Sequence, residues 1–311
     1  MTRRRYRIGL KQSIILVLVL FFGTAAKAQN YSLSFDGVDD HVLIPNSNSL
    51  QVDETFSISV LIYPTSGGSD SWHGSRPVVT KGSAYNDGVG ENINYYVGWK
   101  TDGNIVFGFE VSGTGDDKYI TASTSVSPNT WSHIVCTYDN ADLKVYVNGI
   151  IADAANIGPH TPATGNHPVG VAAAARASGN IMSPRFEGKI DNVRIFDTAL
   201  SASSILNGNE TGLVGYWNFN EGTGTTLTDQ TSNDNDGTIN GATWSTDTPE
   251  NTLMNPGFET LDGDGNAVGW GAIHAGESQA HTNIITDASQ AHNGENYAHI
   301  GVDNGAAWAV F

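Results

Sequence analysis

Residues 131–149, WSHIVCTYDNADLKVYVNG, leave the chain few folds to choose from. Two alternating runs, Ser132–Tyr138 and Leu143–Val147, flank the turn-forming Asp139-Asn140-Ala141-Asp142, and Asn148-Gly149 offers a second tight turn into Ile150–Ala152. This spacing predicts an antiparallel hairpin that continues into a third strand. One face of the first strand carries Ile134, Cys136 and Tyr138; the other carries Trp131, His133, Val135 and Thr137. Apolar residues on both faces suit a central strand of a sandwich rather than an edge. No long segment has helical periodicity, and 36 glycines supply turns, so an all-β chain is expected.

Charge narrows the partners. The formal net charge is −17, yet six of the 15 basic residues (Arg3, Arg4, Arg5, Arg7, Lys11 and Lys27) precede residue 29 with no acid among them. That basic start, the apolar run Ile14–Phe22 and Ala26-Lys27-Ala28 read as a secretory signal with its cleavage site. The apolar run is too short to span a bilayer comfortably, so no membrane insertion is expected after cleavage. The mature chain would hold nine basic against 32 acidic residues, a net of −23. Such a surface repels nucleic acid and anionic lipid and favours neutral partners and divalent cations. The single cysteine, Cys136, sits mid-strand as core filler, so no intrachain disulfide forms.

Further strands follow from the same alternation. Tyr31–Ile44 reads as two short strands around Asp36–Asp40, Phe56–Ile62 as another, and Ile93–Trp99 with Ile105–Val111 as a second hairpin. Ser66–Asn94 is a long, polar, glycine-rich loop holding Trp72, His73 and Tyr85, and loops of that length are commonly functional or mobile. Gly188–Asp197 gives a late strand, after which Ser201 is placed to cap a short helix through Leu206.

Three of these segments, in order, carry a resemblance: S-F-D-G-V-D-D-H-V, the central hairpin, and G-K-I-D-N-V-R-I-F-D-T-A-L-S-A-S-S-I. They resemble the opening strands, middle hairpin and closing strand with its helical turn in the laminin G-like jelly rolls, part of the concanavalin A-like lectin/glucanase group. The resemblance implies a two-sheet antiparallel jelly-roll sandwich over residues 30–248. Leu213–Trp244, with Y-W-N-F-N-E-G-T-G and G-T-I-N-G-A-T-W, resembles a segment that precedes S-F-D-G in many relatives but follows the helix here. A permuted order that completes the same sheets is expected, since chain ends in a sandwich often lie close together. Ser245–Asn251 reads as a polar linker. Beyond it N-T-L-M-N-P-G-F-E-T resembles the start of a carbohydrate-binding jelly roll, so 252–311 is expected to be an incomplete second β domain, cut inside a strand near Phe311.

The chemistry is sparse. No H-E-x-x-H, G-x-S-x-G or phosphate-binding glycine loop occurs. Sandwich glucanases place carboxylates two and then three residues apart on one strand, and no E-x-D-x-x-E is present. Glu91 and Glu110 are an alternative, non-sequential carboxylate pair, but solvated surface acids are the favoured reading of both. The nine histidines lack paired spacing for zinc. The resemblance does imply a structural calcium. The glucanase relatives carry a D-x-V-R-V strand whose Asp binds Ca²⁺, which corresponds here to Asp191, with backbone oxygens around Asp36 and Gly37 as the other ligands. The competing reading is that Asp36 and Asp191 cap turns. Glycan binding would use exposed aromatic faces, and Trp72, Tyr85, Trp99 and Tyr119 are the candidates, whereas Trp131, Trp217 and Trp244 are assigned to the core.

The expectation is a secreted, non-catalytic module that binds a polysaccharide or a glycoprotein glycan, or mediates adhesion, with calcium support. Two alternatives stand beside it: an accessory portion of a polysaccharide-degrading enzyme whose catalytic domain is absent from this chain, and a ligand-free spacer. Oligomeric state is not legible in the sequence.

Overall fold

The structure, a computed structural model, describes residues 30–68, 72–83, 93–123, 126–201 and 211–249, with three further strands between 280 and 307. The export segment, residues 202–206 of the expected helix, Glu91 and Tyr85 lie outside the described residues. In chain order the first strands are β1 (Ser32–Asp36), β2 (His41–Ile44), β3 (Thr55–Gly68), β4 (Arg76–Gly82), β5 (Ile93–Trp99), β6 (Ile105–Glu110), β7 (Asp117–Thr121) and β8 (Ser132–Asp139). They continue as β9 (Asp142–Val147), β10 (Ile150–Asn156), β11 (Val169–Val171), β12 (Ala173–Ala175), β13 (Ile181–Phe196), β14 (Leu213–Trp217), β15 (Thr226–Leu227), β16 (Gly237–Asn240) and β17 (Thr243–Ser245).

These strands form two antiparallel sheets. The first runs β10-β9-β8-β3-β13-β1-β17, with β12 and β14 also pairing with β13; the second runs β15-β16-β2-β11-β4-β5-β6-β7. Alternation decides which side chains meet between them. From the first sheet Leu33, Phe56, Ile58, Ile134, Cys136 and Tyr138 turn inward, and from the second Tyr95, Val97, Trp99, Phe107 and Phe109 do so. Phe56 sits at the centre, its ring 5.7 Å from Phe107 and 6.0 Å from Tyr138. The central strand expected from the sequence, β8, lies between β9 and β3, with Val135 packing on its outer side against Tyr146, Phe196 and Leu200.

The permuted tail completes both sheets. β14 and β17 join the first, on β13 and β1, while β16 pairs with β2 in the second. Trp217 is fully buried and its Nε1 donates to the Asn235 carbonyl at 2.9 Å. Asp229 organises the following loop: its carboxylate accepts the N–H of Tyr216, Thr231 and Asn235, each at 3.0 Å. Asp236 belongs to this scaffold too, since it accepts the Asp229 N–H at 2.9 Å.

Trp131 departs from its expected place in the core. It is only half-buried, at the rim of the first sheet, 5.7 Å from the Tyr63 ring. There Asp247 accepts its Nε1 at 3.2 Å and the Lys189 ammonium at 2.6 Å, and the Asp247 carbonyl accepts the Ser32 hydroxyl at 2.7 Å. The linker read from sequence is therefore pinned to the sandwich through residue 247. Both charges are solvent-accessible, so Asp247→Ala is expected to cost no more than about 1 kcal/mol in urea unfolding. A loss of several kcal/mol would mean that the contact is shielded from water.

Further along, β18 (Ala280–Ile285), β19 (Tyr297–Val302) and β20 (Gly305–Ala307) form an antiparallel three-stranded sheet. Among the described residues no helix is long and apolar enough to cross a membrane.

Candidate functional site

The outer face of the second sheet is built by the residues that alternate with its core. Tyr95 and Val97 point inward, so Tyr96 between them points out; Val106, between Ile105 and Phe107, does the same. A short 3-10 helix, Trp72–Gly74, folds back onto this face. Two consecutive residues in the left-handed region make the turn, His73 at φ 50° and Gly74 at φ 71°. A histidine there is unusual and is held by its surroundings. The Ser75 hydroxyl anchors the turn by donating to the Trp72 carbonyl at 2.7 Å, beside the Tyr96 hydroxyl at 3.1 Å.

This turn lays Trp72 over Tyr96 with ring centroids 5.0 Å apart, and it leaves the indole only 7 % exposed. Trp72 therefore supports the surface more than it presents it. What faces solvent is Tyr119 on β7, at 41 % exposure. The His73 ring stacks on it at 3.5 Å and 15°, and His73 Nε2 lies 3.1 Å from an Asp117 carboxylate oxygen. Burial holds the His73 imidazole below the ordinary histidine range, with Asp117 pulling the other way. Gly108 faces Tyr119 across the strand pair, where an added Cβ would come within 2.7 Å of the Tyr119 Cα; only glycine lets β7 approach this closely.

Trp99 has to be corrected. It shares the inward parity of Tyr95 and Val97, is fully buried, meets Phe186 edge to face at 6.5 Å and donates through Nε1 to the Val126 carbonyl at 3.3 Å. It cannot stack on a sugar. Glu110, considered from sequence as a surface acid, is 9 % exposed and accepts the Ile93 N–H at 3.2 Å.

The expected calcium ligands do not converge either. Asp36 stands opposite Glu187 on β13, whereas Asp191 lies four residues further along that strand. At the rise of a β-strand this separates them by roughly 13 Å, too far for one ion. Asp36 and Gly37 therefore leave the ligand set of Asp191. Asp36 Oδ1 instead caps its own turn, accepting the N–H of Val38 at 2.8 Å, Asp39 at 3.3 Å and Asp40 at 3.4 Å. The Val38 bond leads in holding its carboxyl below the usual range. Gly37, at φ 74°, makes that turn possible. Asp36, Asp39 and Asp40 do gather carboxylate oxygens within 4.8 Å of one another at this tip. Asp40 is spent in the same turn, its Oδ2 accepting the Asp36 N–H at 3.0 Å.

Asp191 is different. It is 4 % exposed, burial pushes its carboxyl up to about 7, and its Oδ1 has no hydrogen-bond partner. Nearby Arg194 pulls the carboxyl the other way while its guanidinium lies 4.4 Å over the Tyr216 ring.

Residues 36–206, more than half of the chain, match the family model for concanavalin A-like lectin/glucanases, Laminin_G_3. The chain belongs to the concanavalin A-like lectin/glucanases superfamily. Solved structures of similar fold include a protein of Bacteroides ovatus provisionally named for carbohydrate binding, at 17% identity and TM-score 0.51, with 70% of this chain and 60% of that one covered. This chain thus spans less than two thirds of that structure's length. The sialidase CBM40 module of Ruminococcus gnavus, bound to α2,3-sialyllactose, is similar at 12% identity and TM-score 0.45, covering 57% of this chain and 97% of that one. A heptameric SAP-like pentraxin of Limulus polyphemus is similar at 16% identity and TM-score 0.42, covering 57% and 81%. No curated protein matches the chain. The superfamily model ends before the tail that supplies β14, β16 and β17, so these strands are additions to what the match covers.

Proposed function

We propose that this protein is a secreted, non-catalytic module that binds a polysaccharide or glycoprotein glycan on the outer face of its second sheet, with a calcium ion at Asp191 supporting the fold. The named members of the superfamily, lectins and glucanases, both handle carbohydrate. The observation that carries the reading is the exposed Tyr119, braced by stacked His73 and underlain by Trp72 and Tyr96. A sugar ring presents C–H groups on one face and hydroxyls at its edge. A rigid aromatic with polar neighbours such as Asp117 serves both. The basic, apolar start of the chain supports export. Calcium is supported by the chemistry of Asp191, a buried carboxylate with one oxygen unpartnered, which a hard divalent ion would satisfy.

The test is a glycan array probed with the whole mature chain and with Tyr119→Ala. Binding to at least one glycan class is expected. The substitution is expected to weaken it about tenfold, the loss of roughly 1.4 kcal/mol of stacking. Silence across neutral and acidic glycans, or binding that ignores Tyr119, would refute the reading.

A further inference from the structure

Strands β1 and β14 bond to the same side of β13 one after the other and stop on either side of a gap. β1 pairs with β13 as far as Ile190, and β14 takes over at Val193, so Asp191 and Asn192 have no ladder partner on that side. On the other side β3 pairs Leu61 with Asp191, then the register slips and resumes at Ser59 with Arg194. This is a β-bulge, and within it Asn192 takes a left-handed backbone at φ 54°. Asparagine visits that region more readily than most residues. In an unbroken strand consecutive side chains face opposite sides, and the bulge releases Asn192 from that rule.

The two residues at this break each carry a buried side-chain oxygen without a donor, Asp191 Oδ1 and Asn192 Oδ1. Native proteins bond nearly all such atoms, and each exception calls for a missing partner. Both of these orphans are acceptors; the third buried orphan at the bulge, Arg194 Nε, is a donor, but its guanidinium lies over the Tyr216 ring. A cation satisfies both, and a carboxylate with a neutral amide oxygen is a pairing that Ca²⁺ accepts.

We propose that Asn192 is the second side-chain ligand of the calcium ion at Asp191, in the break between β1 and β14. The assignment rests on the calcium reading above. It replaces Asp36 and Gly37 with a residue adjacent to Asp191, and it gives the bulge a purpose: keeping two neighbouring side chains from being paired away. Ca²⁺ takes about six to eight oxygens, so backbone carbonyls and water would fill the rest of its shell. Asn192 brings an oxygen but no charge, so it adjusts affinity while Asp191 supplies the attraction.

The test is calcium chloride titrated into the full chelator-stripped chain, followed by titration calorimetry and by thermal melting. The wild type is expected to bind and to melt at a higher temperature with calcium. Asn192→Gly keeps access to the left-handed backbone but removes the amide, and is expected to bind at least tenfold more weakly. Asn192→Asp keeps the oxygen and adds charge, and is expected to bind more tightly than the wild type; Asp191→Asn should lose the response. If Asn192→Gly and Asn192→Asp both bind as the wild type does, Asn192 is not a ligand, although the calcium reading survives. If the wild type itself does not respond to calcium, the calcium reading fails and the assignment falls with it.

Discussion

Ending the chain at residue 212 is expected to leave it unable to fold, although such a chain keeps every residue of the superfamily match. The cut removes β14 from β13, β16 from β2 and β17 from β1, exposing three strand edges in two sheets. It also takes Trp217, Phe219, Leu227 and Ile239 out of the shared core. At about 1.5–3 kcal/mol for each buried side chain, their transfer alone contributes on the order of 10 kcal/mol. That is comparable with the whole stability of a typical domain, about 5–15 kcal/mol. The truncated chain should show no cooperative transition in urea and should aggregate. Trp217→Ala offers a milder measure. It opens a cavity and strips the donor from the Asn235 carbonyl, and is expected to cost about 4 kcal/mol with the transition intact. A soluble, cooperatively unfolding chain ending at 212 would mean that the tail decorates a finished sandwich instead of closing it.

Period-2 alternation is why so much of the architecture could be read without coordinates. Ile134, Cys136 and Tyr138 share a parity and share the core, and the same rule gave β2, β5, β6 and the closing strand. Trp99 was legible on the same terms, since Tyr95, Val97 and Trp99 stand two apart and turn inward together; its place near a strand end concealed this. Trp72 shows the reverse. Its sequence neighbours are polar, which suggests exposure, but its burial comes from Tyr96 and Val106, strands away, and no local composition encodes that contact. Trp131 was misplaced because Asp247, more than a hundred residues later, holds it at the rim.

The metal ligands failed to converge for a related reason. Register is fixed by pairing across the sheet, and a one-residue bulge shifts it without a distinctive signature. From sequence, Asp36 and Asp191 lie on adjoining strands and could be imagined side by side. The ladder sets Asp36 against Glu187 instead. The one local hint was Asn192, a residue tolerant of the left-handed backbone that a bulge needs.

Lys81 should make stability depend on pH between about 8 and 10.5. Its register partners Tyr95 and Val169 both face the core, so the lysine also points between the sheets, and it is fully buried. Its ammonium donates to Asn46 Oδ1 and to the His167 carbonyl, each at 2.5 Å. Both acceptors are neutral, and burial lowers the amine from its ordinary 10.5 to about 8. The sign follows from proton counting. Between pH 8 and 10.5 the unfolded chain holds a proton on Lys81 that the folded chain has released, so stability rises with pH across this window. Below pH 8 the cost of the buried charge is felt in full, and above 10.5 it is gone. A gap of this size corresponds to about 3 kcal/mol. Cys136 and Tyr95 act in the opposite direction, because burial raises both and their folded forms resist ionisation as pH climbs. The total curve therefore mixes signs, and only a difference isolates the lysine. Urea unfolding of the wild type and of Lys81→Met, measured from pH 7 to 11, supplies that difference. Met leaves Asn46 and the His167 carbonyl without their donor, a fixed penalty that does not change with pH. The wild type is expected to gain about 3 kcal/mol on the variant between pH 8 and 10.5. Parallel curves would mean that the amine reaches water in the folded protein and that the two sheets do not close over this end of the sandwich.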